Sequence, residues 1–245
     1  DRITSGLLIF AKNPETAGVY QRAFENRTIF KTYVARVKGN VLPMLKTQTV
    51  DVPIAGAQVN DVFKQKISPE GKRSITLLRN IHYDEKEDVS IILAAPVTGR
   101  THQIRIHLES INSPIDGDPL YGVARECDAN QVWTVDAKGW RLVDLPPQIT
   151  IKDPNFDPLC MQCATIARGE KYKTAFHSDK VCRSSTASIP LHAVRYENLL
   201  DEEKTLFKCP LEPWISALVD EEYVDKQIEL LKADTIAFKQ TLSFD

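Results

Sequence analysis

The sequence is poor in cysteine, with 5 in 245 residues, and poorer still in methionine, with 2. Thiols this sparse do not make a disulfide framework, so a reduced cytosolic or nuclear setting is expected, with mitochondria also open. No apolar run reaches the roughly 18 residues of a membrane span, and no basic-then-apolar leader opens the chain. With 10 Gly and 14 Pro, and neither repeats nor low-complexity tracts, collagen, coiled coil and wholesale disorder are excluded. A methionine is also missing from the first position. The chain opens on Asp1-Arg2 and passes through Thr4-Ser5-Gly6 into an apolar stretch, so further residues are expected upstream.

What is present is ordinary globular material, 42% hydrophobic and 26% charged, enough for one or two domains. The net charge of −2 conceals an asymmetry. Residues 1–80 carry 13 Lys+Arg against 6 Asp+Glu, a net of +7, and the remainder carries −9. A basic half is an electrostatic reason to expect an anionic partner such as RNA or DNA. The plainer alternative is a solvated surface on which charges fell unevenly.

Leu7–Ala11 reads as a buried strand. Asn13-Pro14-Glu15 carries the signals of a helix start, and Ala17, Tyr20, Ala23 and Phe24 continue at helical spacing, giving a helix over about 14–27. Ile29–Val37 is rich in β-formers and stops at Lys38-Gly39. Residues 40–73 read as loops and short strands. Strands are expected at Ile75–Leu78 and Val89–Ala95, around a polar turn at His82–Asp88. A helix is expected from about Thr101, because Ile104, Leu108 and Ile111 repeat at helical spacing. Periodicity is weak over 123–188, an insertion or a loose arm. It returns at Ile189–Tyr196 and as a helix over about 214–233.

Four segments could carry chemistry: Asp1-Arg2-Ile3-Thr4-Ser5-Gly6, Lys31-Thr32-Tyr33-Val34-Ala35, Gly99-Arg100-Thr101-His102-Gln103-Ile104-Arg105-Ile106-His107, and Pro114-Ile115-Asp116-Gly117-Asp118-Pro119-Leu120-Tyr121-Gly122. Each alone is weak. A strand tyrosine is usually core, and Arg and His on a helix are usually a solvated face. In this order they resemble the RluA family of RNA pseudouridine synthases. That family reads His-Arg-Leu-Asp-x-x-Thr-Ser-Gly, Lys-Thr-Tyr-x-Ala, Gly-Arg-Thr-His-Gln-Ile-Arg-x-His and Pro-Ile-x-Gly-Asp-x-x-Tyr-Gly. The likeness spans residues 1–122 and resumes at Leu191-His192-Ala193. The His-Arg-Leu that precedes the aspartate in the family is absent, because the sequence starts at Asp1, as expected of a fragment or of a truncated relative.

The resemblance implies an α+β fold, a mixed and mostly antiparallel sheet flanked by helices with an RNA cleft across it. Residues 1–122 would form the core of the catalytic domain, 123–188 an insertion, and 189–245 the end of the domain with a C-terminal helix. The implied activity is isomerisation of uridine to pseudouridine in RNA, tRNA foremost, with no metal or organic cofactor. The implied catalytic group is the ionised carboxylate of Asp1. Arg105 would favour that charge and orient it. Tyr33 would stack under the flipped base and take part in the final proton removal. Leu191 would supply an apolar lid. Arg2, Arg100 and His102 are candidates for backbone-phosphate or packing contacts that offset the cost of base extrusion.

Cys160-x-x-Cys163, with Cys182 and His177, forms one good and one ragged zinc half-site, and a reduced thiol pair in a loop is the simpler reading. The Cys-x-x-Cys and Pro210-x-x-Pro213-Trp214 are similar to the eukaryotic branch of the family. Other readings stay open: an inactive RNA-binding relative lacking the segment before Asp1, a zinc-binding interaction module in 123–188, and a pyrimidine-nucleotide hydrolase. A monomer is the default expectation.

Overall fold

The computed structural model describes residues 1, 3–40, 42–59, 62–118, 120–122, 131–136, 139–144, 189–199 and 205–242. In chain order these form β1 (Ser5–Gly6), α1 (Pro14–Glu25), β2 (Ile29–Lys38), β3 (Thr47–Asp51), β4 (Ile54–Val59), β5 (Val62–Ile67), β6 (Ile75–Asp84) and β7 (Val89–Pro96). There follow α2 (Gln103–Ser110), β8 (Gln131–Asp136), β9 (Gly139–Asp144), β10 (Leu191–Asn198), β11 (Leu206–Lys208), α3 (Pro213–Ser216) and α4 (Glu221–Thr241).

The strand run Ile91-Ile92-Leu93-Ala94-Ala95 is apolar without alternation because β7 is buried on both faces. Ile91, Leu93 and Ala95 join Phe30, Val34, Ile75 and Leu77 against Trp214, Ile215, Val224, Ile228 and Leu231 of α3 and α4. Ile92 and Ala94 point the other way, with Ala35, Val37 and Leu78, and pack on Ile104 and Leu108 of α2, on Ile115 and on Leu191. Truncating a side chain such as Leu93, which is fully buried, to Ala should cost about 2–5 kcal/mol.

The main sheet has seven strands in the order β1-β10-β2-β7-β6-β3, with β11 also on β10. The pairs are antiparallel except β1 with β10. Strand β10 therefore brings residues 191–198 beside β2, with Ala193 opposite Tyr33. Helices lie on both faces, which makes the architecture α+β. Strands β4 and β5 form a separate hairpin, as do β8 and β9.

Helix α1 starts as its sequence dictates: the Asn13 side chain accepts the Thr16 amide at 2.8 Å, with Pro14 in the first turn. Leu7–Ala11 is not a buried strand. Only Ser5 and Gly6 pair with β10, and Leu8 and Phe10 are 72% and 81% exposed. A β-carbon on Gly6 would lie 2.3 Å from the Ala193 carbonyl oxygen, at φ +100°. The contact closes only around glycine, and the chain peels away after Leu7 donates to Ala193.

Three other elements differ from the sequence pattern. Strand β6 runs on to Asp84, shortening the expected polar turn. The helix expected over 214–233 is two helices, because Asp220 caps α4 by accepting the Tyr223 amide at 2.7 Å. A hairpin, β8–β9, lies within the segment of weak periodicity.

Candidate functional site

The connection from β7 into α2 is held by one side chain. Gln103 accepts from Thr98 Oγ1 at 2.7 Å and from the Arg100 amide at 3.0 Å through Oε1. Its Nε2 donates to the Ile75 carbonyl and to Thr76 Oγ1, each at 2.9 Å. The hydroxyl of Thr98 in turn accepts the Ile75 amide at 2.9 Å. Thr98 and Gln103 are thus a brace tying the turn to β6, and they fix where Arg100, His102 and Arg105 emerge. His102 sits ahead of the helix at φ 56°, a left-handed conformation uncommon outside glycine.

That brace aims Arg105 at two carboxylates. Its Nε and Nη2 each bond Asp118 at 2.7 Å, one to each carboxylate oxygen, and Nη1 bonds Asp1 Oδ2 at 2.9 Å. The fork geometry of a guanidinium makes the bidentate pair possible. Asp118 is itself held by amides: its Oδ1 accepts from Leu120 at 2.9 Å and Tyr121 at 3.1 Å. Both Arg105 and Asp118 are buried. The Tyr121 ring lies 5.0 Å from the guanidinium carbon, and its hydroxyl meets the Gln65 amide at 2.9 Å and His102 Nδ1 at 3.0 Å.

His102 Nε2 comes within 4.0 Å of Asp1 Oδ1. Burial, then the charge of Arg105, pushes the His102 imidazole down to about 4, so it is neutral at physiological pH. Arg105 is then the cation that balances Asp1. The second Asp1 oxygen carries a longer bond, from the Ile3 amide at 3.3 Å.

Asp1, Arg105 and His102 open onto a pocket of about 330 Å³, whose walls also include Tyr33, Arg100 and Leu191. Six residues singled out in the sequence thus converge on one cavity. Arg2, Cys160, Cys163, Cys182 and His177 lie outside the described residues. Among the described residues no group of His, Cys, Asp and Glu could hold a metal ion.

Tyr33 pairs with a residue that the motifs did not mark: its hydroxyl lies 2.8 Å from that of Tyr196. Burial, then the neighbouring Tyr196, raises the Tyr33 phenol well above its ordinary value. Tyr33 is therefore protonated at neutral pH and can pass a proton without standing as an anion. Sequence reasoning also gave no role to Asp118 or Tyr121, although both lie in the Pro114–Gly122 segment. Their fixed spacing from Arg105 was the available signal. Tyr196 had none, since its place depends on the pairing of β10 with β2.

The RNA pseudouridylate synthase family matches residues 1–110. The chain is similar to the yeast (Saccharomyces cerevisiae) tRNA pseudouridine(31) synthase, 36% identical over 137 residues, which covers 49% of this chain and 34% of the yeast protein. It is similar to the RNA pseudouridine synthase 7 of rice (Oryza sativa subsp. japonica), 30% identical over 240 residues, covering 87% of this chain and 56% of that protein. Among solved structures, human RNA Pseudouridylate Synthase Domain Containing 1 shares the fold with a TM-score of 0.58 at 22% identity, covering 95% of this chain and 78% of that one. The chain thus spans only part of the length of its curated relatives.

Proposed function

Residues 1–110 of the chain belong to the RNA pseudouridylate synthase family, and from that premise we propose that the protein isomerises uridine to pseudouridine within RNA, with tRNA as the substrate class. The observation that carries the reading is the Asp1–Arg105–Asp118 chain at the wall of the pocket. It holds one carboxylate in a fixed direction at the edge of a cavity large enough for one extruded nucleoside.

The reaction breaks the bond between N1 of uracil and C1′ of the ribose, turns the base, and joins C5 to C1′. The proton on C5 leaves and N1 gains one, so atoms and electrons balance without a redox partner. An ionised carboxylate is what the glycosidic step needs, and Arg105 favours that form. A neutral His102 adds no second positive charge that would tie up Oδ1. Tyr33 supplies a ring for the base to stack on and a protonated phenol, bonded to the Tyr196 hydroxyl, that can relay a proton. The basic first 80 residues supply the field that draws a polyanion to the cleft.

The test follows the C5 hydrogen. Bulk tRNA labelled with tritium at C5 of uridine is incubated with the full-length protein, and release of tritium to water is counted. Release is expected from the wild type. In Asp1→Asn it should fall below detection while tRNA binding changes by less than about threefold. Substantial release from Asp1→Asn overturns the assignment of Asp1, and no release from the wild type with any tRNA pool overturns the substrate class.

A further inference from the structure

Beside the nucleoside pocket lies a second cleft of about 320 Å³, and the two share Lys31, Thr98, Gly99 and Arg100 in their walls. Its outer wall includes Arg27, Phe24 and Glu25. The Glu25 carboxylate is engaged along its own helix, where Oε1 accepts from Gln21 at 2.8 Å. Lys239 adds a further positive charge nearby, with its Nζ donating to the Arg27 carbonyl at 2.8 Å.

Two of the cations here, Lys31 and Arg100, are under-compensated among the described residues. Among the described residues, Lys31 Nζ has no carboxylate partner and no hydrogen-bond acceptor, and its recorded neighbour is the Phe24 ring at 5.9 Å. A β-carbon at Gly99 would stand 3.7 Å from Lys31 Nζ, so the glycine leaves that side of the ammonium uncovered. Among the described residues, the buried Arg100 Nε has no partner and its Nη2 reaches only the Arg73 carbonyl at 3.5 Å. A buried donor left unsatisfied costs free energy until a ligand answers it. Burial, then the charges of Lys239 and Arg27, also pushes the Lys31 ammonium down to about 8.

We propose that this cleft is a phosphodiester subsite, in which Lys31 and Arg100 grip the RNA backbone phosphate next to the uridine that enters the pocket. The subsite rests on the RNA-modifying reading above. An extruded nucleotide stays tethered through its phosphates, so an anion must lie within one nucleotide of the pocket, and the shared wall is where it would pass. A phosphate there would bond the orphaned Arg100 Nε, lie against the open side of Lys31 and relieve the mutual repulsion of the cations. The grip also offsets part of the cost of unstacking the base.

The probe is bulk tRNA, with affinity measured as a function of salt for the full-length protein. Each phosphate contact contributes close to one unit to the slope of log affinity against log salt. Lys31→Gln and Arg100→Gln are each expected to lower that slope by about 0.7–0.9 and to weaken binding roughly 3–10-fold at 0.1 M salt. Lys31→Arg should keep the wild-type slope. Inorganic phosphate, tested in parallel, separates a backbone contact from a free-phosphate site. Unchanged slopes in both Gln variants overturn the proposal. So does loss of inorganic phosphate binding in those variants while the tRNA slopes stay put. Altered slopes in a protein that releases no C5 tritium would leave the subsite standing and overturn tRNA as the substrate of the isomerisation. A wild type that binds no tRNA overturns both.

Discussion

The two walls of the pocket are built on opposite principles. On the Arg105 wall each guanidinium nitrogen has a carboxylate acceptor, at 2.7, 2.9 and 2.7 Å for Nε, Nη1 and Nη2, and an aromatic ring lies on the guanidinium face. On the Lys31 wall an ammonium lacks an acceptor among the described residues, and a buried guanidinium nitrogen has no partner. A saturated wall fixes geometry before any ligand arrives, and its groups gain little when one binds. An unsaturated wall is held in an electrostatically incomplete state that a ligand completes. The first is suited to orienting a reacting carboxylate, the second to capturing an anion.

The comparison breaks hardest at Arg105. Arg105→Lys supplies a point charge where a planar fork bridges two carboxylates, so Asp1 loses its fixed direction. Turnover of tRNA should fall at least about a hundredfold, the usual scale for losing one preorganised contact. Binding of tRNA should change less than threefold, in contrast to the Lys31 and Arg100 variants. Near-normal turnover would show that the saturated wall is only structural. Next in size is Asp118→Asn, which keeps the shape but removes the charge facing a buried guanidinium. Breaking such a pair costs about 3–5 kcal/mol. Thermal unfolding should report a drop of that order, and an unchanged midpoint would mean that Asp118 does not balance Arg105.

Part of each wall is legible in the sequence, Asp1, His102 and Arg105 on one and Arg100 on the other, whereas the roles of Asp118, Tyr121 and Lys31 are not. Asp1, His102 and Arg105 lie in ordered segments whose spacing survives folding, and Asn13-Pro14 announced α1 through local chemistry alone. The walls contributed by β10 and by the cleft depend on long-range pairing. Tyr196 faces Tyr33 only because β10 lies beside β2 across more than 150 residues of chain. Lys31 reads as one more basic strand residue until Arg27, Lys239 and Gly99 are brought around it. Leu7–Ala11 has the pattern of a strand without being one, because an apolar run does not reveal whether a partner strand continues beside it, and here only Ser5 and Gly6 have one.

Acid sharpens the contrast between buried neutral and buried charged groups. His107 lies beneath the site, bonded to Thr76 Oγ1 at 2.9 Å through Nδ1 and to the Val52 carbonyl at 3.4 Å through Nε2. Burial pushes it down to about 4 from 6.5. The unfolded chain takes up this proton as pH falls below about 6.5 and the folded chain resists until about 4. Stability is therefore full above that window and lost progressively within it, by at most about 3 kcal/mol for this group. His107→Gln, which does not titrate, should show a shallower loss of unfolding free energy between pH 7 and 4.5. Parallel curves for the two proteins would show that His107 is not held neutral.

The smallest expected effect lies where the two walls meet, at the Tyr33–Tyr196 hydroxyl pair. Tyr196→Phe leaves both rings in place, 6.1 Å between centroids, and removes one hydroxyl. The pair should be worth about 1 kcal/mol in stability. Because Tyr196 adds to the burial that raises the Tyr33 phenol, its loss should also bring the Tyr33 titration downward, as seen by ultraviolet absorbance. Turnover should change less than about threefold, since Tyr33 keeps its ring for stacking and its proton at neutral pH. A large loss of turnover with the Tyr33 titration unmoved would mean that Tyr196 itself passes the proton, and the division of labour between the walls would have to be redrawn.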